Sequence, residues 1–554
     1  MRDQTLEVIP LGGLGGFGLN MMVIRFGSEA IIVDAGLGFP DSDLPGVEIL
    51  IPDFTFIREH YEEILAVVLT HGHDDHIGAL AFLLREIALP VYGTHFTLAL
   101  LAESLKEHGI LGSAELHGVE PGDTASLGSW FTVEWIHVTH SLTCCTALAI
   151  STPVGVLIHS GDFKVDETPV IGAPFDLERL TQIGDDGVLA LFLNVTNVER
   201  AGRTPSESSV IPSFERSFLG AAGRIIVSCV SSSVHRIQIV LDVANQTDRK
   251  VALLGRSMTS SVETAESNGQ LFVPDGLLIS AAEARRVDRD RVVLLAAGCQ
   301  GDPRSAMTRL ATDQHKNLSV TQGDLVMLSA RHIPGNERAV SRLISHCYRR
   351  GGTVVDSSVQ PIHVSGHGSQ EDLRLMIEAT RPKFVVPIHA EHRMFYRFKE
   401  WVTQRKILSD ENVVIIENGD VLQLGESQAR VMEKAVIGRT FIDGGREQVE
   451  DMVARDRRHL SNDGIVVAFV VVNPSSGGLE SEPEVLTRGF VHEEISAELI
   501  SRLKQLIEET VADSSHEERI DYGVIKEKIR LALKRYIQRA TGRRPMIIPV
   551  VVEV

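Results

Sequence analysis

The sequence predicts an α/β fold made of several domains. Short apolar runs alternate with helical stretches along most of the chain, which is typical of parallel sheets flanked by helices. The length of 554 residues exceeds what one ordinary core accommodates, so two to four domains are expected. From residue 446 on, two apolar strands precede two helices, and this change of pattern predicts a separate small α+β unit.

The first segment, residues 1–205, reads as strands joined by tight turns. Strands are predicted at residues 6–10, 21–25 and 30–34, and a glycine-rich turn at 12–16. These glycines open no helix, so a nucleotide-binding loop is not indicated. Strand–helix alternation then continues to about residue 200.

The middle of the chain predicts a second α/β domain at residues 206–352. Short apolar strands at 224–228, 250–254, 292–295 and 325–329 alternate with helical stretches, so a parallel sheet is expected. Over residues 353–445, histidines again follow apolar runs. We therefore expect the chain to re-enter the first domain there, and residues 446–554 to form the last one.

The last domain ends in a helix with one apolar stripe and many basic residues. The stripe repeats every four residues and predicts a buried face: Ile525, Ile529, Leu533 and Ile537. The basic residues admit two interpretations, a solvated helix face or a surface that touches RNA or a partner. They are Lys526, Lys528, Arg530, Lys534, Arg535, Arg539, Arg543 and Arg544.

Composition favours a protein of the reducing cytoplasm. The five cysteines are odd in number and show no Cys-x-x-Cys pairing, so no disulfide framework is expected. No signal peptide is visible, and apolar runs such as residues 465–472 are too short to span a bilayer. The formal net charge of −20 argues against bulk electrostatic binding of nucleic acid, although metal ions or a local basic groove can still attract phosphates.

The run His71-Gly-His-Asp-Asp-His76 predicts a metal centre. It places His71, His73, Asp75 and His76 in one loop directly after the apolar run 64–70. Imidazole and carboxylate ligands without thiolate suit zinc or manganese, and two ions can share such a cluster. Two metals a few ångströms apart support attack by water at phosphorus or at a carbonyl carbon.

Further ligands are expected at the ends of later strands. Asp162 follows a strand at 154–158, where a carboxylate is well placed to bridge two ions. His140 follows the strand 131–139, with His137 as the competing candidate, and His389 ends the strand 384–388.

Several polar loops predict a phosphate-binding crevice. In residues 363–369, Ser369 and Asp372 fit a helix cap, and the glycines allow the backbone to approach a ligand. His367 is a candidate proton donor near phosphate; the alternative is that His363 and His367 only satisfy turn carbonyls. Serines before a helix at 231–236 and the loop 298–303 have the same character, and each alone could be an ordinary cap.

At this point the residues resemble the ribonuclease J family of the metallo-β-lactamase superfamily. The resemblance implies an αββα sandwich with an inserted parallel α/β β-CASP domain and a small α+β carboxy-terminal domain. It rests on these motifs: Val33-Asp-Ala-Gly36, Leu44-Pro-Gly-Val47, His71 to His76, Gly161-Asp-Phe-Lys164, Thr204-Pro-Ser-Glu207, Val234-His-Arg-Ile-Gln238, Gly255-Arg-Ser-Met258, Ile333-Pro-Gly-Asn-Glu337, His363-Val-Ser-Gly-His367 and Arg457-Arg-His-Leu460.

The resemblance also implies roles for single residues. His71, His73 and His140 would bind one zinc ion. Asp75, His76 and His389 would bind the other, and Asp162 would bridge them. Asp75, Asp162 and His367 would be catalytic. The substrate residues would be His363, Val364, Ser365, Gly366, His367, Ser232, Ser233 and His235. Some members carry a structural calcium ion, for which Gly46, Glu48 and Asp443 are the candidates.

The activity implied is hydrolysis of RNA in maturation and decay. The family acts as a 5′→3′ exonuclease that prefers 5′-monophosphate ends, with endonuclease activity, and manganese or magnesium can replace zinc in vitro. Dimers or tetramers, other RNA-decay enzymes as partners and a cytoplasmic location without membrane attachment are implied as well.

The chain departs from the family pattern at a few positions. Asn194 stands in Asn-Val-Thr-Asn where Asp-Ser-Thr-Asn is usual, and an amide supplies neither the charge nor the basicity of a carboxylate. Ser233, Gly16, Leu19 and the pair Cys144–Cys145 also differ. Two other hypotheses therefore stay open: a homologue that binds RNA or a partner without cutting, and a hydrolase of thioesters or β-lactams.

Overall fold

The computed structural model describes residues 5–40, 44, 46–331, 335–444, 447–473, 475–490 and 493–553. The chain divides into two compact units, one of Met1–Gly38 with Ile51–Arg439 and one of Phe39–Leu50 with Thr440–Val554. Motif residues 45, 333 and 334 lie outside the described residues. The domain boundaries predicted from the sequence are finer than this division and stay predictions.

Among its described residues, the first segment holds twelve strands and five α-helices. The strands are β1 (Leu6–Gly12), β2 (Met21–Phe26), β3 (Glu29–Val33), β4 (Ile49–Pro52), β5 (Ile64–Val68), β6 (Val91–Thr94), β7 (Leu116–Val119), β8 (Thr124–Leu127), β9 (Phe131–Val138), β10 (Cys145–Thr152), β11 (Gly155–His159) and β12 (Val188–Asn194). The helices are α1 (Thr55–Glu59), α2 (Asp74–Ile77), α3 (Leu80–Glu86), α4 (His95–Glu107) and α5 (Leu177–Asp186).

The middle and returning segments alternate strands and helices. The middle holds α6 (Ile211–Gly220), β13 (Ile225–Ser228), α7 (Val234–Gln246), β14 (Lys250–Leu254), α8 (Arg256–Ser267), β15 (Val292–Ala296), α9 (Ala306–Thr312), β16 (Leu325–Leu328), α10 (Glu337–Arg349) and β17 (Thr353–Val355). The returning segment adds α11 (Gln370–Thr380), β18 (Phe384–Ile388), α12 (His392–Gln404), β19 (Leu422–Gly425) and β20 (Gln428–Val431).

The second unit contains the last elements. They are β21 (Arg439–Asp443), β22 (Glu447–Val449), α13 (Asp451–Asp463), β23 (Ile465–Val472), β24 (Glu484–Arg488), α14 (Glu493–Ala512), α15 (His516–Ile520), α16 (Tyr522–Thr541) and β25 (Met546–Glu553).

Two sheets of the first unit form the sandwich. Their strand orders are β20-β19-β1-β2-β3-β5-β6-β7 and β18-β12-β11-β10-β9-β8. Apolar side chains from both sheets share one core, in which β12 is buried along its whole length. Trp135 of β9 is fully buried and its indole N–H donates to the Leu69 carbonyl 3.1 Å away. This bond fixes the loop that follows β5, where the histidine run begins.

The inserted domain is the predicted parallel sheet. Its strand order is β14-β15-β13-β16-β17, and all neighbouring pairs run parallel. The short apolar strands are almost entirely buried because helices cover both faces of such a sheet. The predicted α/β class is therefore confirmed. Strand β18 of the returning segment pairs with β12 of the sandwich.

The second unit contains the predicted α+β element. Sheet β24-β23-β25 buries one face of β23 against α14 and α16, with Val466, Ala468, Val470 and Val472 at 0% exposure. The predicted apolar stripe of α16 is likewise fully buried in this core. The choice between a solvated and an RNA-touching basic face stays open.

Candidate metal centre

The candidate metal ligands lie just after the ends of four strands. His71 to His76 follow β5, His140 follows β9, Asp162 follows β11 and His389 follows β18. The strand β12 ends at Asn194 between β11 and β18. His389 and Asp34 have φ values of 54° and 57°, a conformation that non-glycine residues adopt mainly where the surroundings enforce it. The strands that precede these two residues therefore fix the backbone from which the side chains of the cluster project.

The side chains form two groups that share Asp162. In the first group, His73 Nδ1 lies 3.1 Å from His71 Nε2 and 3.2 Å from His140 Nε2. In the second, Asp75 Oδ2 lies 3.1 Å from His389 Nε2 and 3.7 Å from His76 Nε2. Four ligand atoms lie within 4.8 Å of one another in each group. The structure thus brings together all seven predicted ligands.

Asp162 is placed to bridge the two groups. Its Oδ2 lies 3.8 Å from the Nε2 atoms of His71 and His140 and 3.5 Å from His76 Nε2. The competing candidate His137 faces away, since its Nε2 lies 2.9 Å from the Ala173 carbonyl. Of the two candidates from β9, His140 is therefore the one that lies in the cluster.

The electrostatics of the cluster suit metal binding. Burial, together with neighbouring imidazoles, holds the pKa of His71 and of His140 well below the usual value, so both rings carry a free lone pair at neutral pH. Burial alone would raise the pKa of Asp162, but His389 and His76 lower it well below its usual range. Burial alone would lower the pKa of His76 and of His389, but Asp162 and Asp75 raise both. Zn²⁺ binds neutral imidazoles and ionised carboxylates, so a metal ion bound there would displace the protons of these two rings.

Outer partners orient the ligand rings. Asp34 Oδ2 lies 2.7 Å from His76 Nδ1, and Asp34 also accepts hydrogen bonds from the backbone and hydroxyl of Thr70. His140 Nδ1 lies 2.7 Å from the Gly366 carbonyl, and His389 Nδ1 lies 3.1 Å from Thr196 Oγ1. Each contact engages the ring nitrogen that faces away from the cluster and so directs the other nitrogen towards a metal.

Asn194 takes part in the cluster as a hydrogen-bond donor. Its Nδ2 donates to Asp162 Oδ1 at 2.6 Å and lies 3.1 Å from His389 Nδ1. The backbone N–H of Thr196 donates to Asn194 Oδ1 at 3.0 Å, which fixes the orientation of the amide. The amide supplies no charge, as expected from the sequence, yet it supports the bridging carboxylate directly.

The predicted substrate loop lies against the cluster. The ring of His367 packs on His140 and His389, with centroid distances of 5.0 and 5.6 Å. Its Nδ1 is 3.8 Å from Asp162 Oδ2. Burial lowers the pKa of His367 to about 4, so the ring is neutral at pH 7. Gly366 allows this close approach, since a Cβ there would lie 2.6 Å from His140 Cε1.

The loop is anchored at both ends of its turn. Asn197 Nδ2 donates to Ser365 Oγ and to the His367 carbonyl, both at 2.8 Å. The predicted cap of α11 is confirmed, because the Asp372 carboxylate accepts from the Ser369 N–H at 2.9 Å in a capping box. The apolar side chain of Val364 packs into the core, so it does not face the substrate side of the loop as expected. The backbone of this residue remains the part that could contact substrate.

The start of α7 presents the other predicted substrate residues. Ser233 is the N-cap of α7 but makes no side-chain capping bond, so the alternative of an ordinary serine cap does not hold at this residue. His235 is buried, and its Nδ1 finds no partner among the described residues. Burial lowers the pKa of His235 to about 4 and that of His363 to about 3. Ser232 is half-buried beside them.

A buried ion network lies beneath these histidines. Glu207 accepts from Lys164 Nζ at 3.1 Å and from Arg236 Nη2 at 2.6 Å, and all three side chains are at most 2% exposed. Arg236 also donates to the Ile362 carbonyl at 2.6 Å. The network joins the loop after β11, the linker at 207, helix α7 and the start of the substrate loop.

The calcium candidates in the second unit surround a guanidinium. Arg457 Nη1 donates to the Gly46 carbonyl and to Asp443 Oδ2, both at 2.9 Å. Glu48 contributes its backbone N–H to the Ile442 carbonyl at 2.9 Å. The Arg457 guanidinium therefore lies between two of the three expected oxygen donors, and calcium binding there stays a prediction.

Several residues of the centre escaped the sequence analysis. Asp34, Thr196 and Asn197 follow strands, and that placement is the signal by which they could have been found. Arg331 Nη1 donates to Asn197 Oδ1 at 3.2 Å from 134 residues away, and nothing local in the sequence indicates this contact.

The fold and the site define a metal-dependent hydrolase of the metallo-β-lactamase superfamily with a β-CASP insertion. Family models match residues 14–192 (Metallo-beta-lactamase superfamily), 222–347 (Ribonuclease J, beta-CASP domain), 353–415 (Zn-dependent metallo-hydrolase RNA specificity domain) and 452–554 (Ribonuclease J C-terminal domain).

Curated relatives match over the full length. The chain is 38% identical to Ribonuclease J of Synechocystis over 99% of the chain and 86% of the relative. It is 38% identical to Ribonuclease J of Thermus thermophilus, covering 100% and 96%, and 34% identical to Ribonuclease J2 of Bacillus subtilis, covering 100% and 99%. The chain belongs to the ribonuclease J family.

One solved structure supports the fold alone. A protein of unknown function from Enterococcus faecalis aligns with a TM-score of 0.52 at 18% identity, covering 77% of this chain and 100% of that one. In the described part of the chain, no helix combines the length and apolarity needed to cross a bilayer.

Proposed function

We propose that this protein is a two-zinc ribonuclease that removes nucleotides from 5′-monophosphate ends in the 5′→3′ direction and also cleaves internally. The observation that carries the proposal is the pair of four-residue ligand groups that share Asp162, with the loop 363–367 beside them. Family membership adds RNA as the substrate class, since the relatives are named as ribonucleases.

The ligand chemistry fits two divalent ions. The described residues offer five imidazoles and two carboxylates in the two groups and no thiolate, a set that suits zinc or manganese. Ions bound there would supply Lewis acidity towards the scissile phosphate and make a water nucleophilic at neutral pH.

The side chains of the chain would orient the reacting phosphate. His367 lies beside both ligand groups, with its Nδ1 3.8 Å from Asp162 Oδ2. Because the ring is neutral, one ring nitrogen carries a proton that it can donate to a phosphate oxygen. The contact between the Gly366 carbonyl and His140 Nδ1 and the hydrogen bond from the Asn197 amide to the His367 carbonyl hold the loop next to His140. The packed histidine rings restrict the room for bulk water at this face.

The uncapped start of α7 supports a pocket for the 5′-monophosphate. N–H groups at a helix start favour an anion, and Ser232, Ser233 and the unpartnered Nδ1 of His235 add polar atoms there. His363 lies in the same electrostatic environment, since Arg236, Glu207 and Lys164 act on the pKa of both histidines. A terminal monophosphate bound there would orient the chain end towards the metal centre.

A homologue that binds RNA without cutting is the second candidate, and Asn194 is the residue that favours it. The 2.6 Å bond from its amide to Asp162 keeps the bridging carboxylate in place, however, which supports an active centre. We therefore rank cleavage first.

A homodimer is part of the proposal. The face of sheet β24-β23-β25 opposite the helices carries exposed apolar side chains: Phe469, Leu486, Ile548 and Val552, at 37 to 54% exposure. Leu486 and Ile548 flank Val467 in register, so they form one apolar row across three strands. A second copy would cover this row.

All five cysteines are free, which accords with action in a reducing cytoplasm.

The test is a time course on one RNA labelled at its 3′ end that carries either a 5′-monophosphate or a 5′-triphosphate. We expect progressive loss from the 5′ end, faster with the monophosphate. Chelator, Asp75→Ala and His76→Ala should each abolish it, and zinc or manganese should restore the chelated wild type. If only discrete internal fragments form, the activity is that of an endonuclease and not that of an exonuclease. Saturable RNA binding without cleavage under either metal would establish the second candidate.

A further inference from the structure

Two arginines converge beside the substrate loop without a carboxylate partner. Arg331 follows β16 of the inserted domain, and Arg200 lies in the turn after β12. Burial lowers the pKa of the Arg331 guanidinium, and the positive charge of Arg200 lowers it further. Both side chains remain exposed to solvent along part of their length. Arg331 donates to the Asn197 side chain, and Arg200 lies three residues further along the same turn, so the two positive charges lie near each other. A bound anion relieves the repulsion between them.

The surroundings leave the pair available for such an anion. In the described part of the chain, no ion pair joins either guanidinium to a carboxylate. The neighbouring acid, Glu199, is already engaged by Arg393 and Arg397 at 2.5 and 3.0 Å. Arg331 makes its side-chain hydrogen bond to the neutral amide oxygen of Asn197. A planar guanidinium with free N–H groups is suited to a phosphate.

Hydrogen bonds tie this pair to the catalytic loop. Asn197 accepts from Arg331 and donates to Ser365 Oγ and the His367 carbonyl. The backbone N–H of Arg200 donates to the Asn197 carbonyl at 2.9 Å within one turn, so Arg200 lies three residues from the partner of Arg331. Asn197 therefore links both arginines to the loop that faces the metal centre.

We propose that Arg331 and Arg200 form a binding site for a backbone phosphate of the RNA strand, distinct from the scissile phosphate and from the 5′-monophosphate. The inference rests on the proposed function. It explains how a chain of net charge −20 can hold a polyanion: the contact is local, and it is built from two arginines that no acid of the described structure neutralises.

The test measures binding of a nuclease-resistant RNA analogue, a 2′-O-methyl phosphorothioate oligonucleotide, to the metal-loaded protein at several salt concentrations. Loss of one phosphate contact should lower the slope of log K against log salt by about 0.7 for a single strand. We expect that decrease, with weaker binding, for Arg331→Ala and for Arg200→Ala. The matched control Arg342→Ala, on the exposed side of α10, should keep the wild-type slope.

A second readout separates phosphate binding from a purely structural role. Hydrolysis of the small diester bis(p-nitrophenyl) phosphate needs the metal centre but no RNA strand. It should be unchanged in Arg200→Ala, which keeps the backbone hydrogen bond of residue 200 to the Asn197 carbonyl. An unchanged salt slope, or an equal loss of diester hydrolysis and RNA binding, would overturn the proposal. If wild type binds RNA without cutting it while Arg331→Ala still changes the slope, the nuclease proposal fails and the phosphate site stands.

Discussion

At the scale of single residues, the centre depends on atoms one step away from the metal ligands. Asn194 is the clearest case, because one amide group contacts the bridging Asp162 and lies beside His389. Such outer contacts fix ligand orientation, and their loss typically lowers metal affinity or activity about 10- to 100-fold.

We therefore expect Asn194→Ala to weaken metal binding by roughly one to two orders of magnitude, because Asp162 loses its fixed donor. Competition against a chromogenic chelator measures the affinity, and the exposed Asn245→Ala is the matched control. Wild-type affinity in Asn194→Ala would show that the amide plays no part in holding the bridge.

The sequence was sufficient for the ligands but not for their supports. Three histidines and one of the two aspartates within residues 71–76 are candidate ligands, and the later candidates follow recognisable strands, so their convergence could be predicted. Asp34 and Asn197 act through contacts that depend on how strands lie side by side, and the Arg331–Asn197 bond spans 134 residues. The motifs also could not reveal that the Val364 side chain packs into the core. Nor could they reveal that Arg457 lies between the expected calcium ligands.

At the scale of elements, Glu207 links helix α7 to the loop after β11 through two buried cations. Burial alone would raise its pKa, but Arg236 and Lys164 lower it to about 2. An unfolded glutamate titrates at about 4.3, so the folded carboxylate stabilises the protein fully above that pH. The stabilisation is lost as the pH falls from there towards about 2.

Glu207→Gln should accordingly destabilise the first unit by about 3–5 kcal/mol at pH 7, because it leaves buried Arg236 without its carboxylate partner and Lys164 with Asp166 alone, 3.6 Å away. Urea unfolding followed by tryptophan fluorescence measures this, with the exposed Glu263→Gln as control. The difference between wild type and Glu207→Gln should shrink as the pH falls below about 4. A pH-independent difference would argue that the lost interactions are not ionic.

At the scale of the whole molecule, the apolar row of the second unit sets the expected assembly. Leu486 is 54% exposed and Ile548 is 40% exposed, and both lie in register with Val467. Burying such side chains contributes about 1.5–3 kcal/mol each, enough to decide whether a dimer forms at micromolar concentration.

Leu486→Lys should weaken the dimer at least roughly tenfold, since a charge would enter the apolar row. Sedimentation velocity across a dilution series measures the dissociation constant, and Lys504→Ala, on helix α14 of the same unit, serves as control. A mass independent of both substitution and dilution would place any assembly interface elsewhere.

The return of the chain through β18 has a consequence for its synthesis. The second ligand group lacks His389 until the ribosome has translated the segment that follows the inserted domain. A nascent chain that carries the whole histidine run still has an incomplete centre. The enzyme therefore acquires its full set of candidate ligands only after most of its own mRNA has been translated. The mRNA is thus largely translated before the protein that it encodes can cut RNA.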